Sequence, residues 1–206
     1  MPAAALRDIA DFRLGLPEEW YPMPLDDSGR SWPGELAASL TDDPDAATRL
    51  TGELESARAA FVGMDDPLIR AAVWVGEPES GHADAAMVFA MAELDEIGMP
   101  DQYERFLASY ANRTTDGEFY YNVSTWRSAV PAGEVVASHN LVAHPEADDA
   151  EGSLLEERVV IAVYPPGAAQ AVQFIFSAQG LGSFENMPEQ TQSIVLNLHV
   201  RLEGEA

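Results

Sequence analysis

Cysteine and lysine are both absent from this chain of 206 residues, and so is any long apolar run. Without cysteine there is no disulfide, no thiolate metal site and no thiol nucleophile, which fits a reducing compartment or a biased codon usage equally well. No stretch approaches the roughly 18 consecutive apolar residues that announce a membrane span. The opening Met1-Pro-Ala-Ala-Ala-Leu6-Arg7-Asp8 has neither the basic start nor the apolar core of ~7–15 residues that a secretory signal needs. The expectation is a soluble, cytoplasmic protein that does not engage membranes.

What remains of the positive charge is eleven arginines against 35 Asp plus Glu, a formal net charge of -24. Loss of Lys in favour of Arg is what GC-rich coding produces, and a surplus of acid is also what keeps proteins soluble at high salt; both readings stay open. Either way a surface this negative repels phosphate backbones and anionic lipid headgroups and favours a protein partner with a cationic surface. Nucleic acid is excluded as a partner on that ground. Self-repulsion also makes a prediction: the melting temperature rises with added chloride as the Debye length falls from ~10 Å at 0.1 M to ~3 Å at 1 M. A midpoint that stays flat or falls along such a series would show the acids to be locally compensated.

Length and an apolar content of 47% suit one domain with a real core. Phe12, Leu14 and Leu16 alternate with polar residues, a half-buried strand that Pro17 stops, and Pro-Glu-Glu-Trp-Tyr-Pro reads as the turn after it. A short helix passes through Leu36 and Leu40. Asp43-Pro44 supplies an N-cap and first-turn proline for a longer one, whose stripe Leu50, Leu54, Ala57, Phe61 ends near Val62 with Gly63 as C-cap. Residues 68–75 and 85–94 are apolar at both parities, as in strands covered on two faces, and the turn-rich segment 76–81 makes them a hairpin. Pro100 opens a helix with Tyr103, Phe106, Leu107 and Tyr110 on one stripe. Strands follow at 119–126, 134–143, 157–164 and 171–177, and a helix starting near Asn186 runs to Leu198. The polar segment 145–153 reads as an exposed loop. The sum is a single α+β domain spanning 1–206, with a mainly antiparallel sheet of about seven strands packed with helices.

Two stretches carry a resemblance. One is Leu16-Pro-Glu-Glu-Trp20; the other is Arg158-Val-Val-Ile-Ala-Val-Tyr164, a turn, Val172-Gln-Phe-Ile-Phe-Ser177, then a Phe184-containing helix ending Ile194-Val-Leu-Asn-Leu198. Together they resemble the PsbP-like fold group, which includes photosystem PsbP subunits, DcrB and LpqN-type bacterial proteins and the EagR chaperones of secretion systems. The helical region 33–62 is bulkier than that group's pattern. The resemblance implies a non-enzymatic fold that binds other proteins, and it transfers no catalytic residue.

The remaining candidates for chemistry are weak. His139, His144 and Glu146 are metal-ligand types, but strand positions five apart point to opposite faces, so the two histidines cannot converge without a bulge. Aligning Gly152 with the glycine of a calcium-binding EF-hand loop puts Ala147 first and Arg158 last, where carboxylates are required. There is no Gly-x-Ser-x-Gly elbow, and Gly180-Leu-Gly182 lacks the third glycine of a dinucleotide fingerprint. Asn112-Arg-Thr114 and Asn122-Val-Ser124 are formal glycosylation sequons that require a secretory route to matter. No metal, no cofactor and no catalytic residue are expected. Strand 119–126 is more informative: strict alternation puts Phe119, Tyr121 and Val123 on one face and Tyr120, Asn122, Ser124 and Trp126 on the other. A mixed aromatic and polar face suits partner binding, with Tyr120 and Trp126 as its anchors; the competing reading is a face covered by a helix. The functional expectation is a protein-binding adaptor or chaperone linked to a secretion system. The alternatives are an acidic inhibitor or immunity protein that neutralises a cationic toxin or nuclease, and a small enzyme without a recognisable motif.

Overall fold

The computed structural model describes residues 5–64, 68–115, 117–144, 154–179 and 181–204. The expected loop 145–153, with Glu146, and Gly180 lie outside them. The described residues form an α+β structure with five α-helices and ten strands, every strand pair antiparallel. The chain separates into two compact units, Pro17–Ala90 and the pair Met1–Leu16 with Met91–Ala206.

In the unit Pro17–Ala90, β2 (Trp20–Met23), β3 (Arg70–Trp74) and β4 (Ala85–Glu93, whose last residues pass into the other unit) pair in sequence order. β2 replaces the turn expected at this point. A proline inside the segment argues against a central strand, but β2 is an edge strand, where a missing N–H costs nothing. Trp20 is buried and stacks on Trp74 at 6.4 Å, so the LPxxW stretch ends by pinning an aromatic pair. The helices α1 (Trp32–Leu40) and α2 (Pro44–Val62) follow the sequence signals closely. Asp43 caps α2 by accepting from the Asp45 N–H, and Ala46, Leu50 and Leu54 are its buried stripe.

In the other unit the strands β5 (Thr114–Thr115), β6 (Glu118–Val130), β7 (Gly133–His144), β8 (Leu154–Tyr164) and β9 (Gln170–Gln179) form an antiparallel meander. The helices α3 (Leu94–Ile97) and α4 (Pro100–Ala108) precede it. After it come α5 (Met187–Val195), capped by the Asn186 side chain, and β10 (Leu198–Leu202). Here the sequence reading is corrected: the last helix stops short of Leu198, which opens a strand instead. Leu198 lies four residues after Ile194, so it continues the helical stripe. It also begins the alternation Leu198, Val200, Leu202, and pairing with β1 (Ile9–Leu14) decides between the two periods.

The register gives each face of the meander its own cover. On the first face Val136, Val160, Ala162, Tyr164 and Ala171 pack with Tyr103 and Leu107 of α4. Burial pushes the Tyr103 phenol up to about 12. On the second face lie Val135, Ala137, Val159, Ile161, Phe174 and Phe176, all inaccessible to solvent. The helix α5 lies on this side, with Met187, Thr191, Ile194 and Val195 buried. The β6–β7 hairpin is closed by Val130 opposite Gly133. A Cβ on Gly133 would lie 2.1 Å from the Tyr164 carbonyl oxygen, backbone that cannot swing away. Gly133→Ala is therefore expected to cost about 1–3 kcal/mol of stability, and a denaturant midpoint equal to that of the wild type would refute it. No helix among the described residues is long and apolar enough to cross a membrane.

Candidate functional site

The geometry of the candidate site is set by one irregularity. β6 pairs with β7 as Tyr120 opposite Val142 and Tyr121 opposite Leu141, then resumes as Ser124 opposite His139 and Trp126 opposite Ala137. Two residues, Asn122 and Val123, therefore oppose Asn140 alone, which is a β-bulge, and Asn122 takes the left-handed conformation at φ 45. A bulge inverts the parity of everything beyond it. The alternation that put Tyr120 and Trp126 on a common face is thus overturned: Tyr120 lies on the face with Val142, Asn140 and Val136, and Trp126 on the opposite one with Ala137 and Val135.

On its face Tyr120 belongs to a polar cluster that the sequence reading missed. Arg158 of β8 donates from Nε and Nη2 to the two oxygens of Glu156 at 2.6 and 3.0 Å, and from Nη1 and Nη2 to the two oxygens of Glu118 at 2.9 and 3.0 Å. The Tyr120 hydroxyl donates to Glu118 at 2.6 Å, accepts from Arg158 at 3.1 Å, and its ring lies 5.8 Å below the guanidinium carbon. Ser177 donates to Glu156 at 2.7 Å, and His144 bridges the two carboxylates at 2.7 Å from Glu156 and 3.5 Å from Glu118. Burial would raise the Glu156 carboxyl, but bonds from Arg158 and Ser177 outweigh it and hold the group below the usual carboxylate range; Glu118 is lowered in the same way. Burial and the bond to Glu118 raise the Tyr120 phenol. Burial opposes the Arg158 charge, and the two carboxylates more than restore it. Beside the cluster Asn140 is buried and donates to Ser138 at 3.3 Å, and its Oδ1 has no hydrogen-bond partner among the described residues.

Chemically this arrangement is closed. Each acid is matched by a fixed donor, the guanidinium uses its fork on both carboxylates, and the place a metal would take between Glu118 and Glu156 holds Arg158 instead. Among the described residues no group of His, Cys, Asp and Glu is arranged to hold a metal ion. His139 and His144 do fall on opposite faces, as their spacing requires. His139 lies 2.8 Å from Glu157 on the α5 side. The cluster had a legible trace: Glu156 and Arg158, with Glu157 between them, are charged residues in a strand whose other residues are apolar, and their spacing of two puts both on one face.

Trp126 is in a different setting. It is half-buried, and its Nε1 donates at 3.0 Å to Gln192 Oε1 of α5, the same oxygen that accepts from Ser128 at 3.1 Å. Between Trp126 and the outer flank of α5 runs a groove of about 470 Å³ lined by Asn186, Pro188, Glu189, Gln192, Ser193 and Leu196. Leu196 is 47% exposed at its end. The next hollow shares Asn186, Glu189 and Ser193 and adds Glu185 and Gln190. An indole, an exposed leucine and two carboxylates on one open surface can hold a side chain that is apolar along its stem and cationic at its tip.

No family model matches the chain, and no curated protein matches it either.

Proposed function

We propose that this chain is a non-enzymatic protein-binding module, an adaptor or chaperone, whose partner brings a cationic segment to the Trp126 groove. The observation that carries the reading is that groove: Trp126 half-buried against α5, with Leu196 exposed and Glu189 on the rim. Tryptophan in such a setting is the residue type that concentrates binding energy, and a chain of net charge -24 selects partners of the opposite sign. Tyr120 takes a supporting part, because its bonds to Glu118 and Arg158 fix the neighbouring sheet rather than meet the partner. Placement among the PsbP-like binding proteins, in a cytoplasmic role linked to secretion, is the broader form of the same proposal.

A photo-reactive residue installed at Leu196 tests it. The expected result is a cross-link to a protein with a Lys- or Arg-rich segment, lost when Trp126→Ala or Glu189→Lys is introduced. A cross-link indifferent to both changes would sink the reading. The charge also serves a second reading, an acidic inhibitor of a cationic toxin or nuclease. A cross-linked partner whose own enzymatic activity is blocked on binding would select it.

A further inference from the structure

Among the described residues, the edge of β6 beside the groove is unpaired. β5 pairs with Phe119 and Glu118, and Asn112 and Arg113 extend the bonding to Tyr120. From Tyr121 to Val130 no strand among the described residues lies on the outer side of β6. The two-residue hairpin loop makes Val130 and Gly133 a hydrogen-bonded pair. Alternation then turns the backbone groups of Thr125, Arg127 and Ala129 away from β7 and toward this edge. Unpaired N–H and C=O groups in such a row are a template for another strand.

Resting on the reading of the chain as a protein-binding module, we infer that its partner binds by strand addition: an extended segment alternating cationic and apolar residues pairs with β6 over residues 124–130. The surroundings select that chemistry. On the α5 side the incoming side chains meet Trp126, Leu196 and the Glu189 carboxylate. On the α4 side they meet Asp101, Glu104 and Glu134, three carboxylates gathered around the single guanidinium of Arg127. Among these described residues acid therefore outnumbers base on both sides of the edge. A second copy of this chain would bring the same surplus to the same edge, and repulsion between two chains of net charge -24 opposes that pairing. Main-chain bonds supply affinity in this mode and alternate side chains supply specificity.

The test uses calorimetric titration of the full chain with a short capped peptide alternating Lys with Val and Leu. Its counterpart carries N-methyl groups on the residues whose amides face β6. Strand addition predicts that methylation weakens binding roughly tenfold or more, since several main-chain bonds are lost while every side chain is kept. Thr125→Pro should weaken the unmodified peptide to a similar extent without unfolding the protein, because an outward amide on an edge strand can be dispensed with. Equal affinity for both peptides would overturn strand addition, and a concurrent loss on Trp126→Ala would leave the groove reading standing. Failure of the unmodified peptide to bind at all would remove both. A dimer in sedimentation velocity that Thr125→Pro dissolves would replace the partner segment with a second copy. A peptide with Glu in place of Lys that binds as well would overturn the charge preference.

Discussion

Arg158→Met is expected to lower the unfolding free energy by about 3–5 kcal/mol, the cost of leaving largely buried carboxylates without their cation. Glu156 and Glu118 keep 10% and 26% of their side-chain surface, and Arg158 keeps 17%, so water cannot take over from the guanidinium. Their acidity gives the effect a pH signature. Both carboxyl groups have a folded pKa below the unfolded value, so in the wild type they contribute stability above about pH 4.3, and that contribution is lost as pH falls through the folded values. Without Arg158, burial is opposed only by the interactions with Ser177, Tyr120 and His144, and the folded pKa rises. Less stability is then lost as the pH falls and the groups become neutral. The gap between wild type and variant should therefore be widest near neutrality and narrow below about pH 5. Urea unfolding across that range measures it, and a constant gap, or one under about 1 kcal/mol at pH 7, would show the cluster to behave as a surface ion pair.

Trp126→Ala is expected to cost on the order of 2 kcal/mol in affinity for the partner, roughly thirtyfold, while the fold survives. A fully buried tryptophan would cost roughly 3–5 kcal/mol of stability instead, but Trp126 is only half-buried and its indole N–H donates to Gln192 on α5. Melting and binding measured on the same variant separate the two effects. A protein that no longer folds would make Trp126 a core residue and withdraw the groove.

The local signals in the chain were strong where a residue acts on its own backbone. Asp43-Pro44 starts α2, Asn186 caps α5, and Pro100 opens α4, each through the dihedral or donor chemistry of one or two residues. Signals failed where pairing partners decide. β2 looks like a turn until β3 lies beside it, and Leu198 fits a helix and a strand equally until β1 chooses. The bulge at Asn122 and Val123 carries no mark beyond an Asn tolerant of positive φ, yet it separates Tyr120 from Trp126. The candidate site was accordingly half legible: the residue types were visible, their faces were not.

What the sequence by itself determined is the one-signed charge, the absence of thiol chemistry, the starts of α2, α4 and α5 and the α+β character, because these depend on composition and on contacts a few residues apart. Only the tertiary structure decided that Glu118, Tyr120, His144, Glu156, Arg158 and Ser177, drawn from four strands, close on one another, and that Trp126 meets α5. These depend on register, and register is set by cross-strand pairing over long sequence separations, where the slip of a single residue sends a side chain to the other face of the sheet.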